Sequence, residues 1–291
     1  MSEKRIGIIG GSGLYDMEGM SDCRETTVKT PFGEPSDSFF TGIMGGREVV
    51  FLSRHGRGHK LLPGEINYRA NIWGMKKLGV EWILSVSAVG SLQREIKPLD
   101  LVLPNQFFDR TRGRQDTFFG GGVAAHVMFA QPVCERLIDL LQESGRGEPI
   151  TIHRGGTYLN MQGPAFSMKA ESHVYRSWGM HVIGMTNLSE ARLAREAEIC
   201  YATLAIVTDY DCWIDDEEEA TVNVEMVLEN TQKCILSVRN LIIKAVPMIP
   251  EKRACGCNEA LKGAIITHPD AISEEAKDRL DLLIGRYVHS K

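Results

Sequence analysis

The sequence contains no long hydrophobic run and no excess of positive charge. Its apolar runs have the length of single strands, whereas a membrane-spanning helix needs about 20 consecutive apolar residues. The formal net charge of -5 argues against a nucleic-acid-binding protein, because a phosphate backbone calls for a basic surface. The beginning of the chain combines charges, a short apolar run and glycines, which does not match a signal peptide. We therefore expect a cytoplasmic protein that binds neither a membrane nor nucleic acid.

Internal repeats and low-complexity segments are also absent, and the 43% of hydrophobic and 24% of charged residues are typical of a globular protein. A chain of 291 residues can bury enough apolar surface to fold without disulfides or metals. No linker-like change in composition divides it. We predict a single domain over residues 1–291, of which residues 250–291 are the hardest to interpret.

The seven cysteines are an odd number scattered along the chain, as is typical of a reducing compartment. Cys255 and Cys257 are the exception, and free thiols, a disulfide and half of a metal site are all open for this pair. A zinc site would need a second pair of ligands, and only the distant His268 offers itself. We expect free thiols, with a disulfide as the second choice and no metal.

Short apolar runs alternate with segments of helical periodicity along the chain. The runs that predict strands are residues 5–9, 49–53, 82–86, 101–103, 157–161, 181–185 and 201–208. Helical spacing relates Ile66, Ala70 and Trp73; Val133, Leu137, Leu140 and Leu141; Val224, Val227, Leu228, Ile235 and Val238; and Ala276, Leu280, Leu283 and Ile284. Ser273 is placed to cap the last helix. The alternation predicts an α/β fold with a mixed, largely parallel central sheet flanked by helices.

Polar clusters follow the predicted strands. They are residues 10–13, 54–56, 87–90, 162–164 with Phe166, 185–186 and 209–211. Ligands of α/β folds bind at the carboxyl ends of the strands. We therefore predict that these clusters converge on one pocket.

The glycine-rich cluster at residues 10–13 has two interpretations. Its glycines let backbone N–H groups approach a phosphate, and Ser12 adds a hydroxyl donor, but a simple tight turn is equally compatible with the sequence. Asp16 stands where the dinucleotide fingerprint needs its third glycine. A dinucleotide-binding oxidoreductase is therefore disfavoured.

Two further clusters could supply donors to an anion. Arg54 offers a permanently charged planar fork suited to phosphate oxygens. For the nearby Arg57 and His59 we expect solvated positions on the surface. Residues 87–91 combine small side chains with hydroxyls, which suits an anion site but is also common in ordinary strand-to-helix turns.

Asp209 and Asp211 follow a buried apolar run and are the strongest catalytic candidates. Burial and the proximity of two carboxyls both raise a carboxyl pKa. A carboxyl that stays protonated near neutral pH can act as a general acid. The alternative is that both aspartates only cap or form the turn.

Taken together, the motifs resemble the methylthioadenosine phosphorylases of the trimeric purine nucleoside phosphorylase superfamily. The matching segments lie in family order at residues 6–14, 30–37, 54–57, 67–73, 109–111 and 208–213. Each segment alone is weak evidence for this family, but the six segments in this order are highly specific for it.

This resemblance implies a role for each candidate residue. Phosphate, as a co-substrate, would be bound by Ser12, Arg54, His55, Ser87, Ala88 and Thr186. The nucleoside would be bound by Phe166, Ser167, Met185, Asp209, Tyr210, Asp211, Val224, Val227 and Leu228, with His126 reaching in from a neighbouring subunit. Asp209 would face purine N7 as the catalytic acid, and Asp211 would face the 6-amino group. The resemblance also implies a homotrimer or a dimer of trimers, with no metal and no organic cofactor.

The implied reaction is phosphorolysis of 5'-methylthioadenosine to adenine and 5-methylthioribose 1-phosphate. The branch that acts on 6-oxopurines carries Asn in place of Asp209 and Glu in place of Ser167, so both positions favour adenine. The alternatives are a phosphorylase of 6-oxopurine nucleosides or methylthioinosine, and a nucleoside-binding module that has lost catalysis.

The sequence also departs from the family pattern. Gln162, Ala165, Gly184 and Ser189 differ from the commoner residues beside the site, which bears on rate more than on reaction type. The segment after Val246 is difficult to align. Some heat-stable relatives carry a Cys-X-Cys disulfide, which keeps that possibility open for Cys255 and Cys257.

Overall fold

The computed structural model describes residues 4–11, 14, 19–214 and 222–288, and this part of the chain forms eleven strands and six α-helices. The strands are β1 (Arg5–Gly10), β2 (Ser21–Thr26), β3 (Phe39–Met44), β4 (Arg47–Ser53), β5 (Val80–Ser91), β6 (Leu101–Leu103), β7 (Gln106–Arg110), β8 (Ile152–Arg154), β9 (Thr157–Met161), β10 (Val182–Gly184) and β11 (Cys200–Asp209). The helices are α1 (Tyr68–Lys77), α2 (Glu135–Ser144), α3 (Lys169–Ser177), α4 (Asn187–Glu196), α5 (Val224–Met248) and α6 (Glu274–Val288).

All eleven strands belong to one sheet with β5 at its centre. β5 runs parallel to β1 and to β11, and its last residues pair antiparallel with β10. The sheet continues through β4, β3 and β2 beyond β1, through β9 and β7 beyond β10, and through β6 and β8 beyond β11. Six of the ten strand pairings are parallel, which confirms the predicted mixed, largely parallel α/β sheet.

Each of the seven predicted strands is present, but four further strands and two helices were not predicted. β2 is a polar and almost wholly exposed edge strand, and β7 is a short edge strand with only Phe107 half-buried, so neither shows the apolar pattern that identifies a strand. α4 buries Asn187, Ser189 and Glu190 together with its leucines and alanines. Its buried face is partly polar, so hydrophobic periodicity does not reveal it.

The C-terminal segment is part of the main hydrophobic core. Ala276, Leu280, Leu283 and Ile284 are buried on one face of α6 and join the core cluster that also contains strands β1, β4 and β5. The Ser273 hydroxyl accepts a hydrogen bond from the Ala276 N–H at 3.2 Å, which confirms the predicted cap.

None of the helices in the described ranges is both long and apolar enough to cross a membrane.

The burial of α6 leads to a test of its contribution to stability. We expect Leu280→Ala to lower the free energy of unfolding by about 2–5 kcal/mol, because it leaves a cavity in the core. Asp278→Ala, on the exposed face of the same helix, should change it by at most about 0.5 kcal/mol. Chemical denaturation at one fixed protein concentration measures both. Equal stabilities of the two variants would show that α6 does not belong to the cooperative core.

Candidate active site

A cavity of ≈ 510 Å³ lies where β4, β5, β10 and β11 end. Parallel pairing sets Gly10 beside Ser53 and Asp209 beside Gly90, and β10 joins them through its antiparallel pairing with the last residues of β5. Of the residues predicted from the sequence, the cavity is lined by Arg54, His55, Ser87, Ala88, Phe166, Met185, Thr186, Asp209, Asp211, Val224, Val227 and Leu228. The prediction that the strand-end clusters converge is therefore confirmed for this set.

Arg54, directly after β4, is only 1% exposed and is held by Glu190 of α4. Its Nε donates to Glu190 Oε1 at 2.5 Å, and Nη2 donates to Glu190 Oε2 at 3.2 Å and to Ser85 Oγ at 2.6 Å. Nη1 donates to the Val86 carbonyl at 2.8 Å. Burial alone lowers the pKa of Arg54, but the charge and hydrogen bonds of Glu190 outweigh burial and raise it. One Nη1–H has no partner among the described residues, and Arg54 lines the cavity.

His55 is held as a neutral ring. Its Nδ1 lies 2.8 Å from the Leu61 carbonyl oxygen, to which it donates. Burial, and then the charge of Arg54, lower the pKa of His55 to about 4. Near neutral pH the ring therefore presents Nε2 as an acceptor. His59 stacks on His55 with 4.2 Å between ring centroids and is exposed at the edge of the cavity.

Further donors surround Arg54. Thr186 is the N-cap residue of α4, its side chain makes no capping bond, and it lines the cavity. The Ser87 hydroxyl is buried and makes no well-formed hydrogen bond within the described ranges. A helix N-terminus beside hydroxyls and an arginine is a typical anion site. Ser12 lies outside the described residues. The neighbouring Gly11 is described, and a Cβ there would lie 2.6 Å from Arg54 Nη1, so only glycine allows this close approach.

Asp209 ends β11 with its carboxyl in the cavity and is only 5% exposed. Thr208 Oγ1 donates to Oδ2 at 2.7 Å, and the Asp211 N–H donates to Oδ1 at 2.8 Å. Burial chiefly, and to a smaller extent the charge of Asp211, raise the pKa of Asp209 despite these hydrogen bonds. A Cβ on Gly90 would lie 2.8 Å from Asp209 Oδ1, so the carboxyl occupies the space that this glycine leaves.

Asp211 is the second buried carboxyl of the cavity, at 4% exposure. Its φ of 53° lies in the left-handed region, which aspartate tolerates better than most residues. The hydroxyls of Ser172 and Ser167 lie beside its carboxyl, and burial raises its pKa. Oδ2 makes no well-formed hydrogen bond in the described part of the chain, so it can accept one from a ligand.

The remaining walls are apolar. Met185 lines the cavity directly after β10, and its carbonyl accepts a hydrogen bond from Arg114 at 2.5 Å. Phe166 is 41% exposed at the cavity. Val224, Val227 and Leu228 form an apolar wall on the first turns of α5, where Val224 is 62% exposed. This combination suits a ligand with a flat ring and a small apolar group.

Three predicted nucleoside contacts do not line the cavity of this chain. The Tyr210 hydroxyl donates to the Arg94 carbonyl, and its ring packs edge-on against Trp213. The Ser167 hydroxyl lies beside the Asp211 carboxyl instead. His126 is exposed on a separate loop, where its N–H donates to the Ala264 carbonyl at 2.9 Å.

Glu190 is the functional residue that sequence reasoning missed. It is 1% exposed, and it binds Arg54, Ser85 and Tyr201. The sequence does contain a sign of its role: Glu190 is an acidic residue in the first turn of α4, and this helix follows the end of a strand. Identifying it required the position of α4, which the apolar pattern did not reveal.

Comparisons with known proteins agree with this geometry. The profile of the phosphorylase superfamily matches residues 5–246. The S-methyl-5'-thioadenosine phosphorylase of Geobacter sulfurreducens is 55% identical over 287 residues, which cover 98% of this chain and 100% of the relative.

Solved structures are similar over nearly the whole chain. The crystal structure of a methylthioadenosine phosphorylase from an antarctic soil metagenomic library superposes with a TM-score of 0.90 at 45% identity, covering 97% of this chain and 99% of that one. The methylthioadenosine phosphorylase of Schistosoma mansoni in complex with adenine gives a TM-score of 0.85 at 38% identity, covering 92% and 99%.

The Arg54–Glu190 pair leads to a second prediction. Glu190→Gln keeps the side-chain shape but removes the charge that compensates Arg54. Without phosphate, we expect the free energy of unfolding to fall by about 3–5 kcal/mol, because a buried cation loses its partner. Saturating phosphate should restore part of this loss, since a bound anion takes over the compensation.

Urea unfolding with and without phosphate measures this effect. Glu225→Gln, an exposed position on α5, is the matched control and should unfold like the parent protein. If Glu190→Gln were as stable as this control, Glu190 would not be what stabilises the buried arginine.

Proposed function

Because the chain belongs to the phosphorylase superfamily, we propose that it cleaves S-methyl-5'-thioadenosine with inorganic phosphate, releasing adenine and 5-methylthioribose 1-phosphate. The observation that carries this proposal is that Arg54 and the Asp209 carboxyl lie at opposite ends of the cavity. Arg54 lies against Ser85 and Val86 of β5, whereas Asp209 lies against Gly90 of the same strand. From Val86 to Gly90 the strand rises by ~13 Å. An anion and the leaving base can therefore occupy opposite ends of one cavity.

The anion end binds and positions phosphate. Arg54, Ser87 and the N-terminus of α4 at Thr186 donate to its oxygens, and Ser12 and the Ala88 backbone complete the set. Nε2 of the neutral His55 accepts a hydrogen bond from a protonated phosphate oxygen. Fixed donors of this kind place the nucleophile beneath the sugar at little entropic cost in the transition state.

The carboxyl end stabilises the leaving base. As the C1'–N9 bond breaks, its electron pair moves to the purine and positive charge develops on the sugar, as in glycoside cleavage. A protonated Asp209 donates its proton to N7, and a phosphate oxygen forms the new bond to C1'. Inorganic phosphate is the co-substrate, and the step requires neither a metal nor an organic cofactor.

Base selection rests on Asp211. Its carboxylate accepts from a 6-amino group and repels a 6-oxo oxygen, so a 6-oxopurine leaves buried polar groups unpaired. Met185 packs under the ribose and Phe166 flanks the base.

The 5' end of the nucleoside faces the apolar wall of Val224, Val227 and Leu228. This wall is partly exposed in the single chain, and His126 of a neighbouring subunit completes it. A homotrimer, alone or doubled into a hexamer, provides that neighbour.

We place this enzyme in the cytoplasm, where its seven thiols stay reduced.

Substrate comparison tests the proposed function directly. Methylthioadenosine and adenosine should both yield free base only when phosphate is present. Inosine should react more slowly by at least about 10²-fold, because the site must hydrogen-bond an amino group. The three rates are measured side by side with one enzyme preparation. Equal rates for adenine and hypoxanthine release would instead indicate a 6-oxopurine phosphorylase.

The role of Asp209 predicts a change in rate and in pH dependence. Asp209→Asn should lower kcat for methylthioadenosine by roughly 10²–10⁴-fold, since the amide cannot transfer a proton. In the parent enzyme, kcat should fall as pH rises through the raised pKa of Asp209, because the acid is lost.

The variant should lack that alkaline decline, while the titration of phosphate itself affects both enzymes alike. Asp278→Asn on the surface of α6 serves as the control. Unchanged kcat and pH profile in Asp209→Asn would remove Asp209 as the acid.

A further inference from the structure

Four cysteine sulfurs from three distant parts of the chain converge at one point. Cys134 is the N-cap residue of α2, Cys200 begins β11, and Cys255 and Cys257 belong to the C-terminal segment. All four Sγ atoms lie within 4.8 Å of one another, and the Cys200 and Cys255 sulfurs are 3.3 Å apart. Cys134, Cys200 and Cys257 are buried, and Cys255 is half-buried.

These distances fit four ligands around one ion. A disulfide brings two sulfurs to ~2.05 Å, whereas none of the seven cysteines forms a disulfide in this structure. A tetrahedral zinc ion with Zn–S bonds of ~2.3 Å separates its ligand sulfurs by ~3.8 Å. A cluster of several iron atoms needs space for iron and sulfide between its cysteines, and sulfurs this close leave little.

We propose that Cys134, Cys200, Cys255 and Cys257 form a structural zinc site. Four thiolates without a carboxylate or imidazole are the ligand set that soft metal sites use, and a closed set of four leaves no open position for catalysis. Binding converts the four thiols to thiolates and releases their protons, and no electron is transferred.

The surroundings of the sulfurs suit thiolates. Cys134 stands at the N-terminus of α2, where the helix dipole favours negative charge. The Cys257 N–H donates to the Cys255 sulfur. Arg253 donates to the carbonyl of Glu198, which ties the chain just before Cys255 to the chain just before Cys200. The cysteines are therefore held in place by bonds that do not involve the metal.

The proposed site does not include the histidine that the sequence offered as a ligand. His268, the candidate considered there, is 76% exposed and lies beside Asp270 instead. The second pair of ligands is Cys134 and Cys200, which are 66 residues apart in the sequence and meet only in the fold.

The proposed zinc ion joins the start of β11 to the C-terminal segment. The same segment holds the loop of His126: Ala125 bridges Ile265, and the His126 N–H donates to the Ala264 carbonyl. The zinc site would therefore stabilise the position of α6 and of that loop.

Metal analysis of the protein tests the proposal. The full chain is purified without a histidine tag or chelator from cells grown with zinc, and its metals are measured by inductively coupled plasma mass spectrometry. We expect about one zinc ion per chain. The double variant Cys255→Ser with Cys257→Ser should lose the zinc, whereas Cys23→Ser, at an exposed cysteine of β2, should keep it.

Thiol counting on the parent protein gives an answer even if the double variant fails to fold. Denatured with a chelator and without reductant, the zinc protein should show all seven thiols. Detection of only the Cys23, Cys212 and Cys234 thiols would mean two disulfides in place of the metal. Seven thiols without metal, or iron in place of zinc, would equally overturn the proposal.

Discussion

The anion end of the site depends on one buried ion pair. Arg54 cannot lose its charge, so its place in the interior requires a compensating anion, and Glu190 supplies it from the first turn of α4. The pair joins the end of β4 to α4. It thereby sets the position of Thr186 at the helix N-terminus and leaves a single guanidinium N–H for the ligand. In the proposed function, this remaining N–H helps to bind phosphate without requiring a basic protein surface.

Burial in the low-dielectric interior affects the carboxyls at the other end of the cavity differently from Arg54. There burial is the largest cause of the raised pKa of Asp209, and it outweighs the hydrogen bonds that Thr208 and Asp211 donate to this carboxyl. One cavity thus combines a permanent cation directly after β4 with a carboxyl of raised pKa at the end of β11, and β1 and β5 lie between these two strands in the sheet. β11 carries Asp209 at one end and Cys200 at the other. The strand that bears the acid is therefore also the strand that the proposed zinc ion would hold.

Much of the fold could be predicted because its central strands are apolar runs of strand length. β6 and β9 were predicted with their observed bounds, and β11 within one residue at each end. β2 and β7 could not be predicted, because β2 is exposed along almost its whole length and β7 buries little more than Phe107, so neither edge strand carries an apolar pattern. The order of the strands also remained open, since periodicity carries no information about which strands pair.

By itself, the sequence determined the fold class and most residues of the cavity, because parallel strands bring their carboxyl ends to one edge wherever they lie in the sheet. Tertiary structure alone decided what each side chain can do there. The pairing of Arg54 with Glu190, the position of Tyr210 outside the cavity and the meeting of four cysteines each join positions that the sequence separates. Such contacts depend on the packing of helices onto the sheet, and a local pattern of residues does not record that packing.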